Sequence, residues 1–288
     1  VFIPFLVAKR GFSHRMVYKI RHFAQGEYEL TKITVFGGDM RMRVAAAELA
    51  SRGFAVDTLG LYPDDRADCA SSDVFLLPVP ASRDGRTVAA PLTDKIIPLS
   101  YIEETAGDRL VLSSIWKPNV KNFIDYYSDD AYAVKNAVPT AEGAIRLALE
   151  LTDFTLSGSR VLVTGYGRCG RVLCSRLYGL HCVLSAAARR PEVLAQIEAD
   201  GITPLKIADL PGMLGEFDVI FNTVDAPWLE GLDTNAVVID LATKGCVEAA
   251  PGGFVYKRAP GLPGKTAPRT AGIILADTVQ RLIKDYGV

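Results

Sequence analysis

The segment 161–170 constrains the fold of this chain more than any other stretch. It reads V-L-V-T-G-Y-G-R-C-G, which places a G-x-G-x-x-G turn directly after a short apolar strand and before a helix predicted over 168–178. In such a turn the first glycine permits a tight bend, the second lets the backbone approach a pyrophosphate, and the third lets the helix pack on the strand. We therefore predict a dinucleotide-binding βαβ unit rather than a purely structural glycine turn. The expected cofactor contacts in the turn are Gly165, Tyr166, Gly167, Arg168, Cys169 and Gly170.

The end of the next strand indicates which nucleotide binds. Sites that prefer NAD place an acid there, about twenty residues after the turn, to bind the ribose 2′-hydroxyl. Here residues 185–190 read S-A-A-A-R-R and contain no acid. Arginines suit a 2′-phosphate through charge-assisted, forked hydrogen bonds, so Arg189 and Arg190 predict NADP as the cofactor. The alternative is NAD, with Arg189 stacked on the adenine.

From residue 31 onward, short apolar strands alternate with helices in two units. This pattern predicts an α/β fold of two Rossmann-like, doubly wound parallel sheets with a cleft between the domains. We place a substrate domain at 31–140 plus 268–288 and an NAD(P)-binding domain at 141–267. A short helix is predicted over 119–127, and a helix that starts at Pro139 with Thr140 as its N-cap connects the two units.

Composition excludes several classes of protein. The chain has 288 residues and a formal net charge of −1, so no basic field indicates nucleic acid or an anionic membrane as a partner. No apolar stretch reaches the roughly 18 residues that span a bilayer. Five cysteines without zinc spacing are interpreted as reduced thiols of a cytoplasmic protein. Residues 1–30 are an atypical leader, interpreted as a disordered extension or as sequence upstream of the true start.

Ligands of open parallel sheets bind beyond the carboxyl ends of the strands. In the second unit this rule selects Asn222, Thr223, Val224, Leu241 and Ala242 as further cofactor contacts. The same rule excludes His181, which begins its strand. Since His14 and His22 lie in the leader, we do not expect a histidine general base.

Several motifs together resemble the A subunit of dipicolinate synthase from spore-forming bacteria. They include G-D-x-R at 38–41, L-P-V-P-A-S at 77–82, P-T-A-E-G at 139–143, D-L-A at 240–242, P-G-L-P-G at 260–264 and A-P-x-T-A-G at 267–272, besides the glycine-rich turn. The likeness covers about residues 31–285 and does not extend to the leader. It implies oxidation of a dihydrodipicolinate-type intermediate to pyridine-2,6-dicarboxylate, with hydride transfer to a nicotinamide cofactor. It also implies that the partner is the flavoprotein-like B subunit of dipicolinate synthase, but it supplies no secure catalytic residue.

A ring dicarboxylate needs cations or helix N-termini near both carboxylates. By position we expect Arg41, Asp39 and Glu142 to be catalytic, and Ser82, Thr140 and Lys265 to bind the substrate. We further expect cofactor contacts from Pro260, Gly261, Leu262 and Pro263. Aromatisation drives the reaction, so Glu142, Asp84 or water suffices to accept the proton. Structural alternatives stay open: Glu142 interacting only with its helix dipole, Asp84 as a solvated turn residue, and Cys169 as a packing residue.

Two other functions stay open for this sequence. One is an NADP-binding regulatory or scaffolding role that leaves the chemistry to the partner protein. The other is a two-domain dehydrogenase of a different amino or hydroxy acid, which shares the fold but not the motif at 260–264. A homo-oligomer is expected in each case.

Overall fold

The computed structural model describes residues 30–248 and 253–288. The predicted leader, with His14 and His22, lies outside the described residues except for its last position. The described chain forms two all-parallel sheets with flanking helices, which confirms the predicted α/β class. No helix in this part of the chain is long and apolar enough to cross a membrane.

The first sheet has five strands in the order β2-β1-β3-β4-β5. Its elements are β1 (Lys32–Phe36), α1 (Met40–Ser51), β2 (Ala55–Leu59), β3 (Val74–Leu76), α2 (Leu99–Ala106), β4 (Leu110–Ser113) and β5 (Asn122–Asp125). The short helix predicted over 119–127 is wrong, because Asn122–Asp125 pairs in parallel with β4 as an edge strand. Tertiary pairing overrides the weak local preference of such a short segment.

The second sheet has six strands in the order β11-β10-β9-β6-β7-β8. It contains β6 (Arg160–Thr164), α4 (Arg168–Gly179), β7 (Val183–Ala188), α5 (Pro191–Ala199), β8 (Thr203–Lys206), β9 (Val219–Asn222), β10 (Val237–Asp240) and β11 (Tyr256–Arg258). Counted within this unit, the order is that of a dinucleotide-binding sheet, and it reverses between β6 and β9. The glycine-rich turn follows β6 and therefore lies at this switch point.

One long helix, α3 (Asp130–Leu151), leads from the first sheet to the second. The predicted helix start at Pro139 is wrong, because the helix begins nine residues earlier, where the Asp129 side chain caps it by accepting from the backbone N–H of Tyr132 at 2.8 Å. Pro139 lies inside the helix, and the hydroxyl of Thr140 donates to the carbonyl of Asn136 at 2.8 Å instead of capping. The predicted domain boundary at residue 140 thus falls within a continuous helix.

Two helices close the chain, α6 (Leu262–Thr266) and α7 (Pro268–Tyr286). The buried stripe of α7, including Leu275 and Val279, shares its hydrophobic core with β1 of the first sheet. Close approach of α7 to α1 requires Gly272, because a Cβ there would lie 2.7 Å from the carbonyl oxygen of Arg41. The chain therefore returns to the first sheet after it has completed the second.

Candidate functional site

Each of the three glycines in the turn after β6 has a different steric environment. Gly165 has a φ of +87°, and a side chain there would collide with the Thr223 hydroxyl. A side chain at Gly170 would collide with the carbonyl oxygen of Gly165, so this glycine permits the close packing of α4 on the strand. Gly167 has no atom within 4 Å of where its Cβ would lie, which leaves open space at the N-terminus of α4. These three environments match the requirements for binding a pyrophosphate.

A cavity of about 430 Å³ lies beside this turn. Its lining combines residues of the turn, the carboxyl ends of β9 and β10, one face of α3, and a residue that follows β5. The lining residues are Tyr127, Ala133, Asn136, Ala137, Thr140, Gly165, Gly167, Arg168, Cys169, Thr223, Asp225, Leu241, Ala242 and Thr243. Eight of the predicted site residues are therefore brought together here, namely Thr140, Gly165, Gly167, Arg168, Cys169, Thr223, Leu241 and Ala242.

Apart from Thr140, the α3 face of this cavity was not predicted from the sequence. Ala133, Asn136, Ala137 and Thr140 have the spacing of a single helical face. Once the helix is known to start at residue 130, counting back from Thr140 in steps of three and four residues identifies the other three. Tyr127 lies in a single 3₁₀ turn after β5, and Asp225 and Thr243 lie in irregular segments, so none of the three had a comparable local signal.

Arg168 is the one cation among the described residues that line the cavity. It is the first residue of α4, and its Nη1 lies 2.6 Å from a carboxylate oxygen of Asp130 at the start of α3. Its side chain is half exposed. A charged guanidinium at a helix N-terminus favours an anion at this position.

Asn222, a predicted cofactor contact, is completely buried. Its side chain accepts from the Thr164 hydroxyl and the Trp228 indole and donates to Asp240 at 2.8 Å. Burial by itself raises the pKa of Asp240, but hydrogen bonds from Tyr256, Asn222 and two backbone N–H groups outweigh it and lower the pKa. The Asn222–Asp240 hydrogen bond thus connects the carboxyl ends of β9 and β10 beneath the cavity. Thr223 and Ala242, which follow these two strands, line the cavity.

The two arginines predicted to select NADP directly follow β7 and are exposed. Arg190 lies 3.3 Å from Glu192 in the first turn of α5. Arg189 makes no ion pair or hydrogen bond with any other described residue, so its guanidinium is available to a phosphate. Neither arginine lines the cavity beside the turn; they lie at the end of the neighbouring strand, where the adenosine half of a dinucleotide binds in this fold.

Two side chains of the turn have other roles. The Tyr166 hydroxyl donates to Asp200 at 2.7 Å, which directs this side chain toward the end of α5. Burial raises the pKa of the Cys169 thiol to about 11. A thiol with so high a pKa is a poor nucleophile at neutral pH, which supports packing as its role.

Arg41 and Asp39, predicted to be catalytic, form a close pair outside the cavity lining. Arg41 is only 5% exposed. Its Nε lies 2.9 Å from Oδ1 of Asp39, its Nη2 lies 2.8 Å from Oδ2, and Nη2 also donates to the Val79 carbonyl. A side chain at Gly264 of α6 would collide with Asp39, so α6 packs directly on this pair. The geometry gives the pair a packing role, and its catalytic role stays a prediction.

Three other predicted residues also lie outside the cavity lining. Glu142 is exposed and lies 3.8 Å from Arg176 of α4. The Ser82 hydroxyl donates to Asp84 at 3.0 Å within a surface loop, and Lys265 is exposed on α6. Backbone and side-chain hydrogen bonds from Thr87 and the backbone N–H of Arg86 lower the pKa of Asp84, which makes it a weak proton acceptor.

The glycine–proline motif at 260–264 packs against neighbouring helices and does not line the cavity. Leu262 and Pro263 are buried, and a side chain at Gly143 of α3 would lie 2.6 Å from the Thr266 hydroxyl. Pro260 and Gly261 are exposed at the start of α6 but do not line the cavity. The motifs at 139–143, 260–264 and 267–272 thus fit α6 and α7 tightly against α3 and α1.

No group of three or more histidine, cysteine or acidic side chains in the described part of the chain is arranged to hold a metal ion. All five cysteines are free thiols. The cavity presents backbone, hydroxyl and amide groups from the ends of β6, β9 and β10, from α3 and from Tyr127 after β5.

Comparison with known proteins agrees with this geometry. Residues 32–132 match the family model described as the N-terminal domain of the dipicolinate synthase A subunit. The A subunit of dipicolinate synthase from Bacillus subtilis strain 168 is 26% identical over 291 aligned positions, which cover 88% of this chain and 96% of that protein. The crystal structure of the same subunit from Bacillus halodurans has a TM-score of 0.79 and 28% identity, and covers 88% of this chain and 99% of the other.

The fold also occurs in more distant proteins. A transhydrogenase from Sinorhizobium meliloti has a TM-score of 0.60 at 16% identity, with 88% of this chain and 92% of that chain covered. At this level of identity the likeness concerns the fold alone. The resemblance of this chain to the A subunit of dipicolinate synthase, in contrast, is confirmed over both parallel sheets.

Proposed function

We propose that this chain is an NADP-dependent oxidoreductase that converts a dihydrodipicolinate-type intermediate to pyridine-2,6-dicarboxylate. The observation that carries the proposal is the turn after β6, where Gly167 leaves open space at the N-terminus of α4 beside a cavity of about 430 Å³. Similarity to the dipicolinate synthase A subunit over most of the chain supports the substrate class.

The residues present fit a nicotinamide dinucleotide. Gly165, Gly167 and Gly170 provide the phosphate turn, and Arg189 provides a guanidinium that no described residue pairs. Asn136 also lines the cavity, and its buried Oδ1 has no hydrogen-bond partner among the described residues. When bound, the cofactor supplies the two-electron oxidant that accepts a hydride from the substrate ring.

The cleft must hold the pyrophosphate of the cofactor as well as the substrate carboxylates, so a cation on its wall is expected to meet an anionic group. Arg168 is half exposed on the cavity wall, whereas the Arg41 side chain is 6% exposed and is held by Asp39. The geometry therefore favours Arg168 over Arg41 as the cation that meets an anionic group in the cleft. Lys265 and Ser82 do not line this cavity.

Removal of a hydride from the ring leaves a cation that loses a proton to become aromatic. Because aromatisation drives this second step, a weak acceptor is sufficient. Asp225 is the one carboxylate among the described cavity-lining residues, and its Oδ1 accepts from the backbone N–H of Lys244 at 2.8 Å. We assign the proton to Asp225 or to water in preference to Glu142, which lies beside Arg176.

The proposed protein partner is the B subunit of dipicolinate synthase, because the similar proteins are named as the A subunit of that synthase. A cytoplasmic location and a homo-oligomeric state complete the proposal. A flavoprotein-like partner is compatible with two arrangements. In one, hydride transfer takes place on this chain; in the other, this chain supports a partner that carries out the reaction.

A direct assay tests the proposal. Purified protein, with and without the B subunit, is mixed with freshly made product of dihydrodipicolinate synthase and with NADP or NAD. We expect the absorbance of pyridine-2,6-dicarboxylate to rise together with that of the reduced cofactor, faster with NADP. Formation of dipicolinate without cofactor reduction contradicts the oxidoreductase role of this chain. Cofactor binding without turnover in either mixture favours the scaffolding alternative.

A further inference from the structure

The cavity-facing side of α3 consists of two small residues and two polar ones. Ala133 and Ala137 lie one helical turn apart, and Asn136 and Thr140 flank them on the same face. The small alanine side chains leave room for a flat group against the helix, and Asn136 lines the same cavity. This arrangement is suited to a planar ring that carries a polar substituent.

Asn136 has one unusual property. Its Oδ1 is buried without a hydrogen-bond partner, and it is the one buried side-chain nitrogen or oxygen of which this is true in residues 30–248 and 253–288. An unpaired buried acceptor destabilises a protein. Alanine at a helix-interior position also has the higher helix propensity. Neither packing nor helix stability therefore accounts for asparagine at position 136, whereas pairing with a ligand does.

The position of the cavity indicates which part of a dinucleotide faces α3. The pyrophosphate belongs at Gly167, and the adenosine half extends toward Arg189 at the end of β7. The opposite half must then extend over the carboxyl ends of β9 and β10, where Thr223 and Ala242 line the cavity. The α3 face lines the same cavity as these strand ends.

We propose that Asn136 recognises the carboxamide of the nicotinamide ring and so fixes the orientation of the ring; this inference rests on the proposed function. A carboxamide offers both N–H donors and a carbonyl acceptor, and the asparagine amide offers the complementary set. The carboxylates of the substrate offer acceptors only, so they leave Oδ1 without a donor. Asn136 is thus a specificity-determining residue for the cofactor.

Ligand binding tests this role independently of turnover. Three ligands are compared by titration calorimetry and by tryptophan fluorescence, to which Trp228, a donor to Asn222 near the site, contributes. They are NADP, its 3-acetylpyridine analogue, which keeps the carbonyl but lacks the amide N–H, and 2′-phospho-ADP-ribose, which lacks the ring. The variants are Asn136→Ala, the isosteric Asn136→Asp, and Lys135→Ala as a control on an exposed position of α3.

We expect Asn136→Ala to weaken NADP binding about tenfold, the effect of one lost hydrogen bond in a desolvated site. Binding of 2′-phospho-ADP-ribose should stay within about twofold, and the preference for NADP over the acetylpyridine analogue should disappear. Asn136→Asp keeps the acceptor and should keep that preference. The melting temperature of Asn136→Ala should be equal to or higher than that of the unchanged protein, and Lys135→Ala should alter none of these affinities.

Two results overturn the inference while leaving the proposed function intact. One is equal weakening of NADP and 2′-phospho-ADP-ribose by Asn136→Ala; the other is an unchanged preference for NADP over the acetylpyridine analogue. If the unchanged protein binds neither NADP nor 2′-phospho-ADP-ribose, the proposed function fails and the inference fails with it.

Discussion

Nη1 of Arg168 lies 2.6 Å from a carboxylate oxygen of Asp130, so the first residue of α4 and the first residue of α3 form an ion pair across the cleft. Arg168 belongs to the phosphate turn, and Asp130 belongs to the helix that leads away from the first sheet. A pyrophosphate at the N-terminus of α4 competes with Asp130 for the same guanidinium. We therefore expect the pair to oppose cofactor binding to a small degree.

The first prediction concerns this competition. Asp130→Asn should tighten NADP binding by up to about fivefold, because an exposed ion pair contributes roughly 0–1 kcal/mol. The gain should shrink as salt is added, since salt screens exposed charges. Calorimetric titration at low and high salt measures both effects. Glu150→Gln, which removes a partner of Arg146 elsewhere on α3, is the matched control and should change neither. Weaker NADP binding to Asp130→Asn contradicts the competition.

The second prediction concerns the choice of nucleotide. Arg189→Ala should cost roughly 1–3 kcal/mol of NADP binding, the range for a hydrogen bond to a charged group, and should leave NAD binding almost unchanged. Dissociation constants of both nucleotides measured side by side decide this. Arg176→Ala, on the exposed surface of α4, is the control. An equal loss for NAD and NADP shows that Arg189 does not bind the 2′-phosphate.

The third prediction concerns Arg41. Because its guanidinium is buried against Asp39, Arg41→Ala leaves a largely desolvated carboxylate without its partner and should destabilise the fold by about 3–5 kcal/mol. NADP affinity of the folded fraction should stay within about twofold, or roughly 0.4 kcal/mol. Chemical denaturation and NADP titration measure the two quantities. A variant that keeps its stability but loses turnover supports instead a direct contact of Arg41 with substrate.

The fourth prediction concerns the packing of α6 against the Arg41–Asp39 pair. Gly264→Ala places a methyl group against Asp39 and 2.8 Å from Nε of Arg41, and should destabilise the protein by about 1–3 kcal/mol. Gly179→Ala at the end of α4 meets no atom within 4 Å and should be neutral within roughly 0.5 kcal/mol. Melting temperatures of the two variants give the comparison. Equal stabilities contradict tight packing of α6 on the Arg41–Asp39 pair.

The fifth prediction concerns acid stability. Burial alone raises the pKa of Asp65, but hydrogen bonds from Lys95 and the backbone N–H groups of Gly60, Leu61 and Tyr62 lower it to about 2. A lowered pKa in the folded state stabilises the protein above the unfolded value of 3.8, and this contribution is lost as the pH falls toward 2. Between about pH 5 and 2, unfolding free energies of the unchanged protein should fall more steeply than those of Asp65→Asn. Parallel curves contradict this.

The sequence determined the βαβ unit around the glycine-rich turn because its signals are local. Gly165, Gly167 and Gly170 are required by the bend of one turn and by the helix that follows it, and these constraints act over ten residues. The periodicity of 268–286 likewise predicted the last helix, whose apolar stripe must be buried. The absence of an acidic residue at 185–190, on which the prediction of NADP rests, is likewise a feature of the local sequence.

Tertiary structure decided the rest. Asn122–Asp125 is a strand because β4 pairs with it, and α3 continues through Pro139 because its face packs between the two sheets. Arg41 follows a strand end, as a ligand-binding residue does, yet Asp39 and α6 bury it. Asn136 lines the cavity only because α3 faces the strand ends of the second sheet. Local sequence fixes the bend of a turn and the period of a helix, but which side chains stay free to meet a ligand depends on the distant residues packed against them.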